Sequence, residues 1–168
     1  MKLPAVAGVL LVALGVAGLV RGAVAQTAGD VSGNTGADPI VVANAFVRPP
    51  VPPATQAAAY FTVYNTTDQP DTLTSVASGA GATTVLHVLV NGVMTAVTGG
   101  FQIPAHGSLV LSVGKGHVMI SDLYGKLTAG QTVNLELTFQ NAGPITVAAP
   151  VVPFGAPTPG SPTTGATK

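Results

Sequence analysis

The stretch TTVLHVLVNGVMTAVT, residues 83–98, decides the fold. Two runs rich in Val, Thr and Leu flank Asn91-Gly92. Asn-Gly between such runs is a strong signal for a type I′ hairpin, because both turn residues must take positive φ. A two-residue loop pairs Val90 with Val93, Leu89 with Met94, Val88 with Thr95 and His87 with Ala96. Side chains alternate along a strand, so one face carries Leu86, Val88, Val90, Val93, Thr95 and Val97. That apolar set is the expected core face. The other face carries His87, Leu89, Met94 and Ala96. His87 and Met94 then become diagonal neighbours with Cβ atoms roughly 7 Å apart or less.

Working outward, the chain continues in the same style. The expected strands are 40–46, 57–65, 71–77, 83–90, 93–98, 108–113, 117–123, 132–139 and 145–151, each rich in β-branched or aromatic residues. Breakers separate them: Pro49-Pro50, Asp68-Gln69-Pro70, Gly99-Gly100, Gly114-Lys115-Gly116 and Gly143-Pro144. No segment holds a helical period. Short strands at this spacing predict an all-β antiparallel sandwich or Greek-key barrel.

The ends read differently from this body, which spans about residues 38–152. Lys2 precedes the apolar run of residues 4–20, and Ala23-Val24-Ala25 supplies a small-residue cleavage signal. Residues 1–25 therefore read as a signal peptide, cut after Ala25. Left uncut, the run would be an N-terminal anchor, and in both cases the body is exported. Residues 26–37 read as a flexible linker, and 153–168 as a disordered Pro/Thr/Gly tail that cannot bury enough to fold. Without residues 1–25, four basic residues face six acidic ones, a formal charge of −2. Nothing in that balance attracts nucleic acid.

The chain has no cysteine. Thiolate is thus excluded as metal ligand and nucleophile, and so are a Cys-linked lipid anchor and blue-copper electron transfer. Enzyme chemistry finds little support. The body's five acidic residues, Asp38, Asp68, Asp71, Asp122 and Glu136, are scattered over different turns and strands. His117 and Asp122 have no accompanying nucleophile motif, and there is no phosphate-binding glycine loop.

His117-Val118-Met119 is a His-x-Met pair on a strand, so its two donors share a face. Val118 and Ile120 take the core side, which turns His117 and Met119 outward. Two hairpin-like elements thus each present one His and one Met. Neutral nitrogen and sulfur donors suit Cu(I) and suit Ca²⁺ or Mg²⁺ badly. Taken singly, a His on a strand is usually structural and a Met usually fills a core gap. His106, in the turn Pro104-Ala105-His106-Gly107, reads as an exposed loop residue.

With these residues laid out, the chain resembles the periplasmic copper chaperone family of PCuAC type over about residues 40–150. The resemblance runs through Asn44-Ala45-Phe46-Val47-Arg48, then Ala58 to Asn65, Asp71-Thr72-Leu73 and Val76-Ala77-Ser78. It continues with His87, Asn91-Gly92-Val93-Met94, Ile103-Pro104-Ala105, Gly116-His117-Val118-Met119-Ile120 and Leu123. Gly130, Leu137-Thr138-Phe139 and Gly143 complete the order. Each element is weak alone, and the ordered co-occurrence is specific. The resemblance implies a cupredoxin-like β-sandwich that binds Cu(I) through two His and two Met. It implies delivery of copper outside the cytoplasm to an acceptor protein, notably a cytochrome c oxidase subunit or assembly factor. His87, His117 and Met119 match ligand positions directly. Family members commonly carry a further Met where this chain has Ala96. Met94 shares a face with that position, so the expected set is His87, Met94, His117 and Met119, and the alternative is a three-ligand site. The protein is expected to be a monomer. Two other classes fit the composition: a metal-free exported adhesion module, and a copper storage or resistance protein. Convergence of the two His/Met pairs within about 10 Å separates the first of these from a copper site.

Overall fold

The computed structural model describes residues 39–160. The signal peptide, the whole linker, body residue Asp38 and the last eight residues of the tail lie outside them.

Ten strands form two antiparallel sheets: β1 Ile40–Arg48, β2 Ala57–Asn65, β3 Asp71–Ser78, β4 Gly81–Val90, β5 Val93–Ala96, β6 Phe101–Ile103, β7 Ser108–Leu111, β8 Gly116–Leu123, β9 Thr132–Phe139 and β10 Gly143–Pro150. One sheet has the order β1-β2-β8-β4-β5, with β7 also paired to β2; the other is β10-β9-β3-β6. The sandwich expected from the strand spacing is present. Strand β6 is additional to the nine read from sequence. Its three residues are too short to register as a run, yet they pair with Asp71, Thr72 and Leu73. Gly143-Pro144 does not stop a strand either but opens β10. That strand is a sheet edge, where a residue without an N–H is tolerated.

The core lies between the sheets. Phe61, Val63, Leu73, Ile103, Val118, Ile120, Leu135, Leu137 and Phe139 are fully buried there. The pattern of β9, buried at Val133, Leu135, Leu137 and Phe139, shows the period of two that a half-buried strand requires. Two polar groups fasten the sandwich edges. Buried Asp71 accepts the Thr72 N–H at 2.7 Å, the Asn141 N–H at 2.9 Å and the Ala142 N–H at 3.0 Å. Buried Asn65 donates to the Gln69 carbonyl at 2.8 Å and accepts from the Thr67 N–H at 3.0 Å.

The β4–β5 hairpin has the register derived from Asn91-Gly92: His87 opposite Ala96, Val88 opposite Thr95, Leu89 opposite Met94 and Val90 opposite Val93. Asn91 and Gly92 have φ of 50° and 81°, as a type I′ turn demands. Its expected core face is realised only at the base. Leu86 is buried and Val97 packs against the core, while Val90, Val93 and Thr95 are exposed. β5 is the last strand of its sheet, so the hairpin tip reaches beyond the core.

Candidate metal centre

The register of the six-stranded sheet arranges its outer face in rows. Phe46 stands opposite Tyr60, His117 opposite His87, and His87 opposite Ala96. Ala59 pairs with Val118, so the next step brings Tyr60 to His117. One row therefore crosses five strands as Phe46, Tyr60, His117, His87 and Ala96. The rings confirm it. Phe46 and Tyr60 stack at 5.0 Å between centroids, Tyr60 and His117 lie at 6.1 Å, and His87 and His117 meet edge-on at 5.3 Å.

The methionines flank this row. Met119 is opposite Val85 and Ala58, one row to one side of the histidines. Met94, opposite Leu89, is one row to the other side and on the edge strand. Met94 and Met119 are thus two strands and four residues apart. At about 4.8 Å per strand and about 3.3 Å per residue, a flat sheet separates their Cα atoms by about 16 Å. The compact group is His87, His117 and Met119, with Met94 as an outlying donor. The two histidines lie within about 10 Å of each other, their ring centres 5.3 Å apart, whereas the two methionines stand on opposite sides of them. His106 stands apart, exposed in its turn, with Nε2 at 2.8 Å from Asp68 Oδ1.

The row has one closed and one open flank. On the closed side Phe46, Arg48 and Tyr60 are buried although they face away from the core. Residues following β10 lie against them. Arg48 donates from Nη1 to the Val152 carbonyl at 3.1 Å and to that of Pro153, and from Nη2 to the Ala156 carbonyl at 3.3 Å. Its guanidinium sits 5.3 Å from the Phe46 ring centre and 5.5 Å from that of Phe154. Thr158, Pro159 and Gly160 share a cleft with Phe46. On the open side all four residues of β5 are exposed.

Sequence reading had not singled out Tyr60. The available signal was its even position in a strand whose odd positions are core, which marks an aromatic ring on the outer face.

Electrostatics favour neutral donors. Burial lowers the His117 pKa below the usual imidazole value, and the neighbouring His87 charge lowers it further. Burial raises the Tyr60 pKa, opposed by Arg48, so the hydroxyl stays protonated at neutral pH. Among the described residues no three His, Cys, Asp or Glu side chains gather as a metal site. The donors present are two imidazoles and thioethers. Such a set offers a hard cation no oxygen and fits a soft, low-coordinate ion.

The family model described as "Putative lipoprotein LpqE-like" matches residues 40–151. A protein of Leifsonia xyli subsp. xyli named "Putative lipoprotein Lxx21020" is 33% identical over 122 residues, covering 70% of this chain and 72% of that protein. The copper-bound PCuAC domain of PmoF2 has a TM-score of 0.58 at 25% identity, covering 67% of this chain and 92% of that one. The solution structure of Cu(I)-DR1885 from Deinococcus radiodurans has a TM-score of 0.59 at 31% identity, covering 71% of this chain and 82% of that one. The word lipoprotein belongs to the relatives: the 168 residues here hold no cysteine to carry a thioether-linked lipid. From the match over its whole sandwich, the chain belongs to the LpqE-like family, which is of PCuAC type.

Proposed function

We propose that this protein is an exported copper carrier that holds Cu(I) as cargo on the outer face of its six-stranded sheet and passes it to an extracytoplasmic acceptor. One observation carries the reading: His87 and His117 face each other on adjacent strands, their rings 5.3 Å apart, with Met119 in the next row of the same face. His87, His117 and Met119 are the principal donors, and Met94 is the outlying fourth. The copper-bound structures of PmoF2 and DR1885 domains support the choice of metal. The carrier has no catalytic role. Its acceptor is a copper-site protein such as a cytochrome c oxidase subunit or assembly factor, and transfer proceeds by replacement of these ligands one at a time. The signal peptide of residues 1–25 directs export, and retained, its apolar run tethers the domain without a lipid on cysteine. The sandwich acts as a monomer.

The test is a titration of the isolated protein with Cu(I) under reducing conditions against a chromogenic chelator. One Cu(I) per chain is expected, lost in His117→Ala. No uptake by the unaltered protein would defeat the copper reading.

A further inference from the structure

The outer edge of β5 ends its sheet, and no further strand covers it among the described residues. In a two-residue hairpin the backbone of Val93 and Thr95 bonds inward to β4, and that of Met94 and Ala96 turns outward. The Val97 N–H donating to the Leu86 carbonyl at 2.8 Å continues the inward set. The free edge thus offers the N–H and C=O groups of Met94 and Ala96, and Ala96 is the end of the histidine row. The side chains around it are apolar and open: Leu89 is 38%, Val90 47%, Val93 65% and Met94 41% exposed.

Natural sheets usually blunt such an edge with lysine, proline or a bulge. Here no Asp, Glu, Lys or Arg occurs between Asp71 and Lys115, and the hairpin has no proline. The opposite flank of the row is shut by Tyr60, Phe46, Arg48 and the residues after β10. The β5 side, next to His87 in the row, is left open among the described residues.

We propose that the copper-accepting protein docks on this edge, adding an extended, uncharged, apolar segment that carries soft sulfur donors beside β5. The proposal rests on the copper reading of the site and adds the direction and chemistry of release. The absence of charge on the edge selects an uncharged contact, since no ion pair is there to steer or fix a charged one. A few side chains and one four-residue edge fall short of the about 800 Å² per partner of a stable interface. They suit a brief encounter rather than a permanent second copy. In the transfer a partner thiol loses its proton to water as its sulfur bonds Cu(I), and the bond from copper to the His87 nitrogen breaks. The metal keeps its oxidation state, and the imidazole remains neutral.

The experiment uses Cu(I)-loaded protein and two acceptors: a synthetic uncharged β-strand peptide with a Cys-x-Cys pair, and the small chelator bicinchoninate. Val93→Lys and, separately, Val90→Lys are compared with the unaltered chain by stopped flow. Transfer to the peptide is expected to slow at least fivefold in both variants, with transfer to the chelator unchanged. Peptide transfer in the unaltered chain is expected to be insensitive to salt between low and high ionic strength. Equal peptide rates in all three proteins, zero included, would overturn the proposal, as would a steep fall with salt. A stable dimer that either variant disperses would assign the edge to a second copy and also overturn it. Failure of the copper reading shows separately, as absence of Cu(I) loading. Docking is then still read in apo protein, where the metal-free peptide should slow amide exchange at Met94 and Ala96.

Discussion

In the copper reading proposed above four side chains are the donors, and their rows rank them. Met119 is a single step along β8 from His117, whereas Met94 lies two strands from His117 and on the far side of the row. Met119→Leu is therefore expected to weaken Cu(I) binding by tenfold or more, about 1.4 kcal/mol. Met94→Leu should cost less than threefold, and the comparison is read by competition with a chelator. Alternation alone placed His87, Met94, His117 and Met119 on outward faces, and that much was legible in the sequence. The ranking was not, because it depends on which strands become neighbours. Proton competition adds a second expectation at this scale. The lowered His117 pKa keeps its ring neutral to more acid pH than an ordinary histidine. An NMR titration of the apo protein should place its midpoint below 6.5. Because the unfolded chain takes up that proton first, apo stability should fall as pH drops from 6.5 toward the folded midpoint, then level off. Cu(I) affinity should decline over the same acid range, since metal and proton compete for one nitrogen.

At the scale of elements, the site depends on how closely β8 approaches β4. Gly116 sits opposite Val88, and a Cβ there would meet the His87 carbonyl oxygen at 2.9 Å. Gly116→Ala should pry the strands apart beside the histidines. Copper affinity is expected to drop about tenfold, with donors intact and the far-UV circular dichroism unchanged. The hairpin was readable residue by residue because Asn91-Gly92 fixes both turn type and register. Its burial was not, because nothing local tells a strand that it will be last in its sheet. For the same reason the exposure of Val90 and Val93 confines the expected core face to the base of the hairpin. Tyr60, part of the Ala58–Asn65 stretch, acquires its place beside His117 only through the β2–β8 pairing, a contact between distant parts of the chain.

At the scale of the molecule, the sandwich gives its inner faces to stability and leaves one outer face for the proposed metal site. Residues 153–160, which read as part of a polar tail, lie against that outer face through Arg48. Arg48→Ala should release them, destabilise the fold by about 2–4 kcal/mol from lost charge-assisted hydrogen bonds and speed proteolysis after Val152. Copper stoichiometry should stay at one, because no donor is removed. Of the readings open to an exported sandwich, the metal-free adhesion module fits least well, since it gives no reason for two half-buried histidines to meet beside a thioether. The most direct measurement is X-ray absorption at the copper edge of the Cu(I)-loaded protein. Two imidazole nitrogens with at least one sulfur are expected, with one nitrogen lost in His87→Ala. A shell without sulfur, or one unchanged in His87→Ala, would contradict the site.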